Sequence, residues 1–257
     1  MGLRYTILGC GTSTGVPRVG NDWGRCDPAN PRNRRSRPSI VVESETTRIL
    51  VDTSPDLRNQ LLAAEISHVD AVLWTHDHAD HSHGIDDLRQ LFHISRTPIQ
   101  GYARKETLDL LQTRFAYAFY GRHGYPPIVR AETVIAPFRV GDIDIGFIDQ
   151  PHGNIFSTGY RFTHGGKSVG YSTDCHDYMP EMIELFRGCD VWIVDALREK
   201  PGHPTHAHLD LALQAVAQAG PKLAILTHMD QSMDYAHLCS VLPTNVVPGY
   251  DMMQGEA

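Results

Sequence analysis

The chain has 257 residues, 41% of them hydrophobic and 21% charged, with a formal net charge of −7. That is the balance of an ordinary globular protein, long enough for one large domain or two small ones. The acidity argues against a general nucleic-acid binder, which needs a broad basic face, and no apolar run approaches the roughly 20 residues that span a bilayer.

Met1-Gly-Leu-Arg-Tyr-Thr6 fits a loose myristoylation pattern. Leu3 to Leu8 reads instead as a first core strand, so the match is taken as chance, and the start has no signal-peptide regions. Five scattered cysteines, Cys10, Cys26, Cys175, Cys189 and Cys239, never form a Cys-x-x-Cys pair. Reduced thiols in a cytoplasm are therefore expected. No shift in composition marks a seam, and one domain is expected over residues 1–257.

The first strand enters a turn with Gly9, Gly11, Gly15 and Pro17. Its third glycine is misplaced for a dinucleotide fingerprint, and Pro17 stands where a helix should open. Residues 18–38 are irregular and carry Arg32, Arg34, Arg35 and Arg37, either a solvated loop or a phosphate-contacting edge. Strands over 39–43 and 47–51 form an apparent hairpin that ends at Asp52, and Pro55 opens a helix over 56–65.

Asp70-Ala-Val-Leu-Trp-Thr75 then reads as a buried strand. It runs out into a loop that carries His76, His78, Asp80 and His81. Residues two apart on an extended segment point to the same side, so His76 and His78 can grip one ion. A turn after them swings Asp80 and His81 toward a second position. The bland alternative is a solvated loop, but three imidazoles and a carboxylate directly after a core strand are the usual signature of a metal site.

Helices are expected over 85–95 and 104–120 around a strand at 99–102. Tyr120-Gly-Arg-His-Gly-Tyr-Pro-Pro127 cannot be a regular element and is either a lid or a plain surface loop. Strands follow near 143–148, 157–162, 168–172, 191–194 and 222–226, with helices near 179–187, 209–219 and 232–240. His152, Asp174 and His228 each stand just after one of these strands.

His76-x-His78-x-Asp80-His81 resembles the signature of the metallo-β-lactamase superfamily, a set of mostly dinuclear metallohydrolases. His152, Asp174 and His228 match its remaining ligands in order. The resemblance implies an α/β fold, a four-layer αββα sandwich of two mixed sheets flanked by helices. It also implies two divalent metal ions, Zn or Mn: His76, His78 and His152 on one, Asp80, His81 and His228 on the other, and Asp174 bridging. Asp52 would lie beneath them, and His83 would be a bystander.

A carboxylate at Asp174, rather than a thiol, lowers the claim of antibiotic hydrolysis, and His78 rather than Glu argues against the di-iron oxygen reductases. The chain is most similar to the phosphoribosyl cyclic phosphodiesterase branch, through Val16-Pro17, Arg34-Arg35, Ser172-Thr-Asp174, the His-Leu-Asp-Leu run from His208 to Leu211, Thr227-His228 and Gly249-Tyr-Asp251. That branch implies His208 as the general acid; the ligand chemistry makes Asp80 a group that orients the nucleophile, and His206 is expected as a substrate contact.

It has closely spaced cysteines for a structural zinc where this chain keeps only Cys26, so no such zinc is expected. A small phosphodiester or nucleotide-like substrate is expected, with no membrane and no extended nucleic-acid surface. The family allows a homodimer, for which the sequence carries no signal. A glyoxalase II-like thioesterase, a tRNA 3′-processing-type nuclease and a non-catalytic metal-binding module remain alternatives.

Overall fold

Short apolar runs broken by glycine, proline and aspartate give two seven-stranded sheets that pack face to face. The computed structural model describes residues 2–200 and 202–257; Met1, the start of the acylation-like pattern, lies outside them. In the first sheet β1 (Arg4–Gly9), β2 (Ser39–Glu43), β3 (Arg48–Val51), β4 (Ala71–Leu73), β5 (Ile99–Ala103) and β6 (Val129–Thr133) lie side by side in that order. In the second, β7 (Phe138–Val140), β8 (Ile143–His152), β9 (Ile155–His164), β10 (Lys167–Ser172), β11 (Val191–Asp195), β12 (Leu223–Thr227) and β13 (Val246–Pro248) do the same. The last strand, β14 (Met253–Glu256), returns to the first sheet beside β1.

Each sheet is antiparallel in its first half and parallel in its second. Strands β2 and β3 are buried on both faces, which explains their continuous aliphatic sequence. Ile40, Val42, Ile49 and Val51 join Tyr160, Phe162, Val169 and Tyr171 in the core cluster that spans the sandwich.

Val41 and Leu50 point the other way, toward α1 (Leu57–Ala63) and α3 (Leu88–Ser95). A one-turn helix, α2 (Ala79–Ser82), lies between these two in sequence, and α4 (Lys105–Arg114) and α5 (Ala116–Tyr120) complete that layer. On the second sheet, α6 (Pro180–Phe186), α7 (Leu209–Ala219) and α8 (Tyr235–Val241) form the outer layer. The architecture is the αββα sandwich. Among the described residues no helix is long and apolar enough to cross a membrane.

Several elements differ from expectation. The helix expected over 104–120 is broken at Phe115, whose φ of −118° and ψ of 38° leave the helical region. The helix expected from 232 starts at Tyr235, because the Asp234 carboxylate caps it by accepting from the His237 N–H at 2.9 Å. The 120–127 segment makes a tight turn, in which the Arg122 and Tyr125 backbones bond each other, and leads into β6.

The arginine cluster divides: Arg32 and Arg34 are exposed, Arg37 is half-buried and Arg35 is buried. Arg32 lies over the rings of Tyr235 and Tyr250, and Arg34 over Trp23. Arg37 pairs with Asp56 at 3.0 Å. Arg35 is 1% exposed and donates to the carbonyls of Met233 (2.7 Å) and Asp230 (3.5 Å), to Asn33 Oδ1 (3.3 Å) and to the Cys26 thiol (3.8 Å). The guanidinium thus ties the 18–37 segment to the chain just beyond His228. Further anchors come from the Met229 N–H bonding the Cys10 carbonyl and the Thr12 N–H bonding the Met229 carbonyl.

Candidate metal centre

Strand ends from both sheets converge on one edge of the sandwich. Asp52 follows β3, and His76, His78, Asp80 and His81 follow β4, while His152 and Asp195 end β8 and β11. Asp174 and His228 follow β10 and β12. Parallel strands with their C-terminal ends together make this edge the natural site. Asp52, Asp174 and His228 sit at φ of 65°, 55° and 59°. Left-handed backbone at a residue other than glycine costs about 1–3 kcal/mol each, so the fold holds these three against local preference.

Ligand atoms of His76, His78 and His152 lie within 4.8 Å of one another, as do those of Asp80, His81, Asp174 and His228. Asp174 joins the two groups. Its Oδ2 is 3.0 Å from His81 Nε2 and 3.3 Å from His228 Nε2, and its Oδ1 is 3.7 Å from His152 Nε2 and 3.9 Å from His76 Nε2. All are buried except His78, which faces the opening.

The hydrogen bonds fix how the rings present themselves. His81 Nδ1 lies 2.7 Å from Asp52 Oδ2, an acceptor, so Nδ1 carries a proton and Nε2 is the nitrogen turned to Asp174 and Asp80. The Thr75 hydroxyl donates to the same carboxylate at 2.8 Å. Its oxygen can then only accept, 3.0 Å away, from His76 Nδ1–H. His152 Nδ1 donates to the Thr205 carbonyl at 2.7 Å. The Nε2 atoms of His76 and His81 are buried with no hydrogen-bond partner among the described residues.

Unpartnered imidazole nitrogens beside buried carboxylates are the donor set of a divalent cation. The residues fit metal ions, and one aspartate, Asp52, orients two of the histidines.

Charge within the cluster is strongly coupled. Burial opposes ionisation of Asp80 and Asp174, yet the imidazoles of His81 and His228 hold both well below the usual carboxylate range. Burial also opposes charge on His81, but Asp174, Asp80 and Asp52 hold it well above the ordinary histidine value. Burial, reinforced by His81, drives His76 well below it.

His208 is not brought into this group. It is half-buried at the start of α7, its backbone beside Arg198, and belongs to none of the sets able to share an ion. The place expected of it is taken by His206. The backbone of Ala207 is clamped between Cys175 and Leu197, and this turns His206 toward the cluster. Its ring stacks on His228 at 4.5 Å, Nδ1 lies 3.2 Å from Asp195 Oδ2, and Nε2 lies 3.8 Å from Asp174 Oδ1. Burial lowers its affinity for a proton, but Asp174 and Asp195 outweigh that and raise its pKa to about 9.

Asp195 was not singled out from the sequence. It is fully buried, and its Oδ2 also accepts from the Cys175 N–H at 3.1 Å. The one available signal was a carboxylate closing the wholly apolar run from Val191 to Val194. His83 is exposed, belongs to none of these sets and packs edge-on against Phe115 at 5.5 Å.

An αββα sandwich with imidazoles and carboxylates converging at one strand-end edge defines a class of metal-dependent hydrolases. The β-lactamase superfamily domain model matches residues 47–229. The crystal structure of a new diphosphatase from the PhnP family superposes with a TM-score of 0.90 at 32% identity, over 99% of this chain and 98% of that one. The chain belongs to the β-lactamase superfamily and is a PhnP-like member of it.

An octanoyltransferase of Porphyromonas gingivalis is 33% identical over 98% of this chain, which spans about half (51%) of that relative's length. Ribonuclease Z of Methanopyrus kandleri is 28% identical, over 80% of this chain and 85% of its own. Zn(2+)-bound PqqB from Methylobacterium extorquens shares the fold, with a TM-score of 0.79 at 18% identity, over 99% of this chain and 100% of that one.

Proposed function

We propose that the chain is a phosphodiesterase that works with two divalent ions, zinc or manganese, on a small cyclic phosphate or nucleotide-type phosphodiester. The observation that carries this is the Asp195–His206 pair over the cluster: a proton donor held beside the place where a scissile ester oxygen must sit. His76, His78 and His152 would hold one ion, Asp80, His81 and His228 the other, with Asp174 shared. Bound there, such ions neutralise phosphoryl oxygens and supply a water whose pKa is near neutrality.

The chain's own groups do the rest. Asp80 orients the attacking water, while Asp52 and the Thr205 carbonyl keep the ligand imidazoles in the tautomer that leaves Nε2 free. His206 carries its Nδ1 proton on Asp195 and turns Nε2 inward. A proton delivered from Nε2 to the departing alkoxide is worth about 10² to 10⁴ in rate.

The test is turnover by zinc- and manganese-loaded protein on cyclic phosphodiesters, linear phosphodiesters, a thioester and a precursor tRNA. The reading expects the small phosphodiesters to be the best substrates. Thioester turnover alone would make the chain a glyoxalase II-like enzyme, precursor tRNA turnover alone a processing nuclease. Inactivity on every substrate would leave a metal-binding module.

A further inference from the structure

Next to the metal edge lies a cleft of about 460 Å³ that has no part in the scheme above. One wall is Asp77, which stands between His76 and His78. Another is the turn from β8 into β9, where Asn154 and Ile155 follow His152 and Ile155 is the strand partner of His152. The third is the start of α4, with Glu106, Thr107 and Leu110. Antiparallel partners have Cα atoms about 5 Å apart, so the cleft adjoins three of the candidate ligands.

The cleft is apolar where it is most open: Phe156, Leu110 and Ile155 are 64%, 49% and 38% exposed. Strand alternation puts Phe156 on the same face as Thr158, whose N–H bonds the Thr75 carbonyl at 2.9 Å and fixes β9 against the segment that carries His76. The charges inside are paired. Arg104 gives Nε and one terminal nitrogen to Asp149 at 2.9 and 3.0 Å, and its other terminal nitrogen to the Val134 carbonyl at 2.8 Å. Asp77 takes Arg114 at 2.8 Å. Glu106, exposed at the rim, is the lining carboxylate with no hydrogen bond or ion pair to a described residue. A cleft without a free cation does not select a second phosphate. An open phenyl ring with a free acceptor beside it selects a flat ring that carries an N–H edge.

We infer that this cleft is a subsite for a nucleobase with an exocyclic amino group, stacked on Phe156 with its amino edge on Glu106, and that it receives the ester group retained on phosphorus. The inference rests on the phosphodiesterase reading, because only a diester has one group that departs and one that stays. His206, the proton donor, lies against His228, whereas the cleft borders His78. Stacking is remote from the bond that breaks, so it acts through binding energy and shows in kcat/KM. A cyclic sugar phosphate without a base leaves the cleft empty and is the poorer substrate.

The experiment compares kcat/KM of the metal-loaded protein on 2′-deoxyadenosine 5′-p-nitrophenyl phosphate, its hypoxanthine counterpart and methyl p-nitrophenyl phosphate. All three release p-nitrophenolate, which needs no proton from His206. Phe156→Ala should lose about 10- to 100-fold on the adenine ester, the worth of one stacked base, and stay within about threefold on the methyl ester. Phe156→Trp should keep the wild-type rate on both. Phe156→Ala should also weaken binding of 2′-deoxyadenosine 5′-phosphate, read by calorimetry, by a factor similar to its loss in kcat/KM. The wild type should prefer adenine to hypoxanthine by about 5- to 10-fold, and Glu106→Gln, whose amide can also donate, should bring the two within about threefold.

If Phe156→Ala slows the adenine and methyl esters alike, or slows neither, Phe156 does not stack on a base. If Glu106→Gln leaves the adenine preference unchanged, the amino edge is not read there. Either result overturns the inference and leaves the phosphodiesterase reading standing. A wild-type protein inactive on all three esters overturns the two together.

Discussion

At the scale of single residues, the site divides into groups that the sequence exposes and groups that it hides. The four ligands after β4 are legible because they are consecutive, and His152, Asp174 and His228 because each follows an apolar strand. His206 and His208 are two apart on an extended approach to α7, so alternation cannot choose between them; the clamp on the Ala207 backbone does, and it is a tertiary contact. Asp195 hides for a similar reason, since only folding shows that the last residue of an inner strand meets an imidazole.

His206→Ala should lower kcat on esters with poor leaving groups by about 10² to 10⁴ and matter less for p-nitrophenyl esters, whose phenolate needs no proton. His208→Ala should stay within about threefold on both. A reversed outcome would restore His208 to the role implied by the resemblance. Asp174→Ala removes the carboxylate common to both groups and should lower the metal content of the purified protein by at least one ion per chain, read by elemental analysis.

At the scale of elements, the segment from Cys10 to Arg37 is the part that pattern reading handled least well, because its order comes from side chains that bond across the fold. Asp251 is central to it. Its Oδ2 accepts from the Ser36 N–H and hydroxyl at 2.7 and 2.6 Å, and its Oδ1 from the Cys10 N–H at 3.2 Å. Burial nevertheless raises its pKa from 3.8 to about 6, with the Ser36 bonds only moderating the rise.

The folded state therefore keeps a proton that the unfolded chain has released. The stabilisation from this group is complete below about pH 3.8 and is lost as the pH rises through about 6. The stability difference between the wild type and Asp251→Asn, from urea unfolding, should thus shift against the wild type by about 1–2 kcal/mol between pH 5 and pH 7.5; a pH-independent difference would contradict it.

Arg35→Met strands the Met233 carbonyl and Asn33 and should cost about 2–4 kcal/mol in the same assay. Elements were otherwise legible where they are long and buried. The edge strands β6, β7, β13 and β14 were not, being at most five residues long and partly exposed, with too little alternation to register.

At the scale of the whole molecule, the two-sheet architecture entered through the ligand motif more than through the strands themselves, since aliphatic runs alone do not say which strands share a sheet. The structure shows why motif and architecture go together: one sheet supplies His76, His78, Asp80 and His81, the other His152, Asp174 and His228. Ions held by both would fasten the halves together. Chelation should therefore lower the melting temperature by roughly 10 °C for each ion removed, if the ions are present at about a thousand times their dissociation constants, and readdition should restore it; an unchanged melting curve would argue that the halves hold without them.

The pairing of β14 with β1 has a consequence of a different kind. The Ala257 N–H bonds the Leu3 carbonyl at 2.8 Å, so both ends of the described chain leave the sandwich together. They leave it a strand's length, about 20 Å, from the metal edge. Joining them through a short linker and opening the chain at the exposed 122–125 turn should give a circular permutant that still folds. A second protein tethered at either end would hang from the same corner, clear of the site's mouth.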